Sequence, residues 1–398
     1  MEGTAWICIV PCVVERIYLD WNATSPPCPE ALDAVVRAMR EEWGNASSLH
    51  EEGRRAADVA DQVRQILADW TRSRAIEWIL TSGGTESIHA AVLGCAGARG
   101  TRRRLVISAG EHSCTLGVAR ILEEEGWEIV RVGLGADGTW DPREILDACD
   151  PATTAMASLI WANNETGAIS DVGAVAPELK RRRVPLHLDA VQCFGRIPVD
   201  LSILPASFVS LSAHKFGAPK GIGALFVRQG APWMRWMQGG NQERSRRGGT
   251  VNVPGAAGLA AAANIARGLD WTEIVRMRVE LESGILEGIF GARVLAASAP
   301  RLPNTSCIVL PGADSATLLD RLDARGFAVA SGSACTTGIA EPSHVLVAMG
   351  VPVEDAHATL RVSLGPTTKR EDLLRFLQVL VQETAAVRAL STQPAALQ

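Results

Sequence analysis

Phe208-Val-Ser-Leu-Ser-Ala-His-Lys215-Phe-Gly-Ala-Pro-Lys220-Gly-Ile-Gly-Ala-Leu-Phe-Val227 reads as two apolar strands joined by a turn that carries two lysines. The chain has 39 basic residues, yet only Lys180, Lys215, Lys220 and Lys369 are lysines. Arginine fills nearly every position where a plain positive charge suffices, so a retained lysine draws notice. A guanidinium cannot form an imine, whereas a desolvated amine can. Lys215, at the end of an apolar strand and flanked by Ser212 and His214, is therefore a candidate Schiff-base residue. The other reading is a surface lysine on a turn.

Working outward, short apolar runs at 77–81, 104–108, 128–132, 155–161, 185–189, 207–211 and 223–227 alternate with amphipathic stretches such as 30–43, 54–70 and 114–125. That alternation predicts an α/β fold with a mostly parallel central sheet sandwiched by helices. After a Gly/Arg-rich loop (238–250) and an Ala-rich helix (254–269), the pattern changes. Strand candidates at 306–310, 328–330 and 360–363 between helices 315–325 and 369–390 predict a smaller α+β domain. The expected division is an N-terminal extension at 1–15, a large domain at 16–268 and a small C-terminal domain at 269–398.

Composition narrows the classes of function. With 47% hydrophobic and 21% charged residues the chain has the make-up of an ordered globular protein. A net charge of −5 with scattered arginines gives nucleic-acid binding little support. The nine cysteines lack a disulfide-like spacing, and the Cys8/Cys12 pair has no second pair to complete a zinc site, so no metal is expected. The apolar run 5–14 is too short to span a membrane and lacks the basic flank of a secretory signal. A cytoplasmic location is the expectation.

Ligands of open α/β sheets bind at the carboxyl ends of the strands. Four such ends carry suitable groups: Ser82-Gly-Gly-Thr-Glu-Ser87 opening a helix, Glu111-His112-Ser113, Asn163-Asn-Glu-Thr-Gly167, and Asp189 followed by Gln192. The Gly-rich turn offers free backbone N–H groups to a phosphate. Each alone has an ordinary structural explanation as a turn, a cap or polar surface. Together with Lys215 they match pyridoxal 5′-phosphate, whose aldehyde needs a lysine, whose ring nitrogen needs a carboxylate and whose phosphate needs a helix N-terminus.

These motifs, with Tyr18-Leu-Asp-Trp-Asn-Ala-Thr24, Gly44-Asn45, His187-Leu-Asp-Ala-Val-Gln192 and Ser212-Ala-His-Lys215, recur in order over residues 16 to 385, and the chain there resembles the class V aminotransferase family and, within it, the cysteine desulfurases. The resemblance implies a fold-type I transferase that is a homodimer. It implies that Lys215 holds the cofactor as an internal aldimine and that Asp189 pairs with the ring nitrogen. Gln192 and Asn164 would face the phenolic oxygen, and His112 would stack on the ring. Gly84, Thr85, Ser212 and His214 would bind the phosphate, with Thr250 reaching the phosphate of the neighbouring protomer.

One stretch bears on the reaction. Ala330-Ser-Gly-Ser-Ala-Cys335-Thr-Thr-Gly338 surrounds a cysteine with small polar residues that offer no apolar shell, and it resembles the longer cysteine loop of certain desulfurases, as does Glu341-Pro-Ser-His-Val-Leu346. Arg361 matches the family arginine that grips the substrate carboxylate, along with Asn164. The implied reaction takes sulfur from L-cysteine, with either Lys215 or His112 moving the Cα proton and Cys335 receiving sulfur as a persulfide. An acceptor such as an iron–sulfur scaffold would then take it. The rival is another class V enzyme, a selenocysteine lyase or an aminotransferase, which has no need of Cys335. A nucleotide dehydrogenase is disfavoured, because Gly133-Leu-Gly135 and Gly221-Ile-Gly223 lack the full glycine fingerprint.

Overall fold

In the computed structural model, residues 16–332 and 341–391 are described. The expected extension at 1–15, with Cys8 and Cys12, and the stretch 333–340, with Cys335, lie outside the described residues.

Seven strands form the main sheet: β2 (Trp78–Thr81), β3 (Arg104–Ser108), β4 (Glu128–Val132), β5 (Thr154–Ile160), β6 (Leu186–Asp189), β7 (Phe208–Ser212) and β8 (Gly223–Val227). They are preceded in the chain by the two-residue β1 (Ile17–Tyr18). The order is β2-β8-β7-β6-β5-β3-β4, parallel except for β8, which runs antiparallel to both neighbours. That exception follows from the quoted stretch, since a parallel strand needs a long crossover and the 213–222 connection is only a turn.

Helices cover both faces, so β5 to β8 are buried along their whole length, as sheets clothed on both sides are. Side chains alternate between two cores: Trp78, Leu80, Val106, Val209 and Leu211 join one, while Ile79, Leu105, Ile107, Phe208 and Leu225 join the other. The first four helices are α1 (Pro29–Glu41) and α2 (Glu51–Thr71), which precede β2, and α3 (Gly84–Ala98) and α4 (Ser113–Glu124), which follow β2 and β3.

A second core lies around helices 272–288 and 370–391 and the antiparallel sheet of β9 (Arg293–Val294), β10 (Thr305–Val309) and, last in the chain, β12 (Thr359–Ser363). The expected strand 328–330 is shorter, as β11 (Phe327–Ala328), with Ala330 forming an isolated bridge to Arg361. The first described residues join this second unit. β1 pairs in parallel with β11, and Ile17 and Leu19 are buried in the second core beside Ile308, Leu360 and Phe376. Asp20 bridges Ser363, so residues 21–24 pass from the second unit to the carboxyl ends of β6 and β7.

Candidate active site

At the carboxyl ends of the parallel strands lies a cavity of about 540 Å³. Its lining includes Gly84, Thr85, His112, Asn164, Asp189, Gln192, Ser212, His214, Lys215 and Arg361, gathered from widely separated parts of the sequence. Thr250 is not among them. It is exposed and lines a smaller adjoining pocket of about 120 Å³ that shares Ser82 and Gly221 with the larger one.

One end of the cavity is the start of α3. The strand β2 ends at Thr81, and Gly83 precedes the first helical residue, so the unpaired N–H groups of the first turn open into the cavity. The turn sits tightly on the sheet. A Cβ at Gly223 would lie 2.6 Å from the Gly83 Cα, and one at Gly84 would lie 3.0 Å from Val191 and 3.4 Å from Ser212. The lining here includes the Glu86 carboxylate, which Arg247 pairs at 2.8 Å, and Lys220, beside uncharged Ser and Thr side chains. His214 Nδ1 lies 3.0 Å from the Thr24 hydroxyl, and burial together with Lys215, Lys220 and Arg196 pushes its pKa down to about 4. A helix start with Ser, Thr and neutral His around it suits a phosphate, and the dipole adds to the attraction.

The other end holds the ionisable groups. The Lys215 Nζ donates to the backbone carbonyls of Asn22 (2.7 Å) and Ala23 (2.8 Å). Burial, with Arg196 and Arg361 nearby, pushes its pKa down to about 8, a value at which an amine is a usable nucleophile and base. Asp189 closes β6 and accepts from the Val191 N–H at 3.0 Å. Burial raises its pKa, opposed by that N–H and by His112 and Lys215. A protonated ring nitrogen would hold it ionised.

Arg361 projects from β12 and donates to the Asp20 carboxylate (2.6 Å) and to the Asn164 carbonyl (3.3 Å). Its Nε is buried without an acceptor, an unmet donor of the sort an anionic ligand satisfies. The cavity size, the helix start, the lysine with lowered pKa, the buried aspartate and this guanidinium together fit pyridoxal 5′-phosphate and an amino acid carboxylate.

Several groups at the site were not singled out in the sequence. Asn22 donates to the Asn164 carbonyl (3.1 Å) and the Thr305 hydroxyl (2.9 Å), and its own carbonyl receives Lys215 and Gln192. Arg196, buried behind the cavity, donates to the Gln192 side chain (2.8 Å) and to the carbonyls of Trp21 and Lys215. Gln192 is thus tied to Asn22 and Arg196 while lining the cavity. Lys220, which had no assigned role, also lines it, as does Cys114. Glu243, inside the Gly/Arg-rich loop, is buried between Arg64 of α2 (2.5 Å) and the Leu80 N–H (3.0 Å). It anchors a turn in which Glu243, Arg244 and Ser245 all have positive φ, a conformation costly enough to need such support.

Glu111 yields a testable consequence. Its Oε1 accepts from the Ser108 hydroxyl (2.6 Å) and the Ile160 N–H (2.7 Å), whereas Oε2 is buried with no partner. Burial pushes its pKa from 4.5 up to about 8, so the folded protein holds a proton there that the unfolded chain releases. Folded stability therefore falls as pH rises from about 4.5 towards about 8, by on the order of 3 kcal/mol at neutrality. Glu111→Gln keeps the neutral shape and lacks this slope. Melting curves of the two proteins should diverge in favour of glutamine between about pH 5 and about pH 8. Parallel curves would show that Glu111 is ionised in the fold.

Among the described residues, no group of three or more His, Cys, Asp or Glu side chains is placed to hold a metal ion. No helix among them is long and apolar enough to cross a membrane.

Comparison with known proteins accords with this geometry. The aminotransferase class-V family profile matches residues 17–376. A protein of Cereibacter sphaeroides named cysteine desulfurase is 41% identical over 380 residues, covering 95% of this chain and 98% of that one. Among solved structures, a NifS-like protein superposes with a TM-score of 0.85 at 31% identity, covering 93% of this chain and all of the other. Another, described as SspA in complex with cysteine, has a TM-score of 0.79 at 26% identity, covering 88% of this chain and 99% of that one. The chain belongs to the class-V aminotransferase family, among its cysteine desulfurases.

Proposed function

We propose that this protein is a pyridoxal 5′-phosphate-dependent cysteine desulfurase that converts L-cysteine to L-alanine and leaves the sulfur as a persulfide on Cys335. The observation that carries the reading is the convergence of Lys215, Asp189 and Arg361 on one cavity beside the glycine turn that starts α3. Its family relationship supports the reaction type.

When bound, the cofactor supplies an electron sink for the pair released from the substrate's Cα–H bond. The residues of this chain do the rest. Gly84, Thr85, Ser212 and His214 hold the phosphate, and Asp189 keeps the ring nitrogen protonated. Gln192 and Asn164 face the phenolic oxygen, with Gln192 held in place by Arg196 and Asn22. Arg361 binds the substrate carboxylate, which competes with Asp20 for the guanidinium in a bidentate pairing. The Lys215 amine, neutral in useful proportion near neutral pH, is placed to hold the cofactor and to move protons. Cys335 lies outside the described residues, and its place here rests on the sequence around it.

Two features support a homodimer. Thr250 is exposed and outside the lining of its own cavity, as expected of a residue that serves the phosphate of a partner protomer. Leu32, Val36, Met39 and Trp43 form an exposed apolar stripe along and just past α1. The persulfide sulfur would pass to an acceptor protein, for which an iron–sulfur scaffold is our candidate. The six cysteines among the described residues are free thiols, which suits a reducing cytoplasm.

The test is to supply L-cysteine to the cofactor-loaded protein with a reductant. Alanine and sulfide should appear in equal amounts. Pyridoxamine phosphate and a keto acid in place of alanine would mark an aminotransferase and overturn the reading.

A further inference from the structure

His112 caps the N-terminus of α4, and its ring takes part in the cap. Its carbonyl accepts from the N–H groups of Thr115 (2.8 Å) and Leu116 (3.2 Å), and its Nδ1 accepts from the Cys114 N–H at 3.2 Å. The Cys114 Sγ lies 2.9 Å from the same nitrogen. A backbone N–H can only donate, so Nδ1 must present its lone pair. Cys114 strengthens the constraint. Burial, with Asp189 and Glu111 nearby, pushes its pKa up to about 12, so the group facing Nδ1 is S–H and also a donor. A neutral imidazole has one N–H, and here only Nε2 is left to carry it.

We propose that this capping geometry fixes His112 as the Nε2–H tautomer, making it a neutral hydrogen-bond donor within the cofactor cavity, with Cys114 as the positioning residue. Its role toward the cofactor rests on the desulfurase reading above. His112 has no free lone pair, because Nδ1 is occupied by the helix and Nε2 already holds hydrogen.

The surrounding charges act in the same direction on balance. Asp189 of β6 favours a protonated ring. Lys215, following β7, and His344, beyond the cysteine stretch, disfavour it, as does the positive end of α4. Burial is the largest influence and lowers the pKa. Glu111, the preceding residue, is held neutral below about pH 8, and its backbone carbonyl lies 2.9 Å from His344 Nε2. Forming an imidazolium would require a proton on Nδ1 and so the loss of the cap.

The test is nitrogen-15 NMR of histidine-labelled protein carrying its cofactor, with the His112 signals assigned by their loss in His112→Gln. The expected spectrum has Nδ1 in the unprotonated range and Nε2 in the protonated range, unchanged between about pH 6 and about pH 9. An Nδ1–H tautomer, or a titration midpoint within that window, would overturn the proposal. Cys114→Pro removes both donors at a helix turn where proline is tolerated. It should give a mixture of tautomers and an acid limb near about pH 6.5 in the rate of alanine formation. A folded Cys114→Pro protein with an unaltered spectrum would remove Cys114 from the account. The spectra are recorded without substrate, so they stand even if the protein makes no alanine from cysteine, a result that would instead defeat the reading of function.

Discussion

Lys215→Ala should give a folded protein that still binds pyridoxal 5′-phosphate in the cavity but cannot hold it covalently. Borohydride treatment should then leave no cofactor attached to the chain, whereas the natural protein should retain it after denaturation. Folding should survive, because Lys215 lies beyond the last residue of β7 and its amine makes hydrogen bonds only to the carbonyls of Asn22 and Ala23. Removing a charge that is already poorly solvated costs the fold little. Catalysis should fall by on the order of 10⁴-fold or more, since the group that anchors the cofactor and the base for the Cα proton are lost together. Arginine should not rescue it, because a guanidinium neither forms the imine nor releases a proton near neutrality. Covalent cofactor persisting in Lys215→Ala would mean that another lysine is the attachment point. Lys220, which also lines the cavity, would then be the first to examine.

The second large effect concerns Cys335. Cys335→Ala should leave the absorption and binding of the cofactor unchanged and should abolish sulfur removal, by on the order of 10³-fold or more. The separation follows from the architecture. The cofactor cavity is built by the ends of the main-sheet strands and by Arg361 of β12, whereas Cys335 belongs to a stretch that begins after Ala330 and ends before Ser343. Ala330 is bridged to Arg361, and the Ser343 hydroxyl donates to the buried Glu165 carboxylate at 2.6 Å. Both flanks of the stretch are thus tied beside the substrate end of the cavity. Sulfide release from L-cysteine at an undiminished rate in Cys335→Ala would contradict the assignment and favour a class V enzyme that needs no cysteine nucleophile.

The central sheet was legible in the sequence because its strands are short apolar runs bounded by Gly, Pro, Asn and Asp, and fully buried strands read that way. The exception, antiparallel β8, was implicit in the brevity of the turn after Lys215. Legible too were the residues at strand ends, since Asp189, His112 and Lys215 each stand where an open α/β sheet places its ligand.

Other parts left no local trace. Arg196 follows a turn as one arginine among 35, and nothing beside it in the chain reveals that it is buried under Gln192 and Lys215. Its role depends on Trp21, 175 positions earlier in the chain, arriving beside it. Glu243 lies in a loop with no apolar period, and its anchoring by Arg64 spans 179 positions. The packing of Ile17 and Leu19 with the C-terminal core is likewise a long-range event, invisible to any pattern of spacing. Cys114 could be read only as the start of a helix. Its contact with His112 depends on which rotamer the cap selects.

The most direct measurement is the mass of the intact protein after a single turnover with one equivalent of L-cysteine and no reductant. The chain should be heavier by one sulfur atom, the addition mapped by digestion to the peptide containing Cys335, with one equivalent of alanine released. Alanine formed with the sulfur found on another residue, or no sulfur retained and Cys335 unmodified, would contradict the assignment of Cys335.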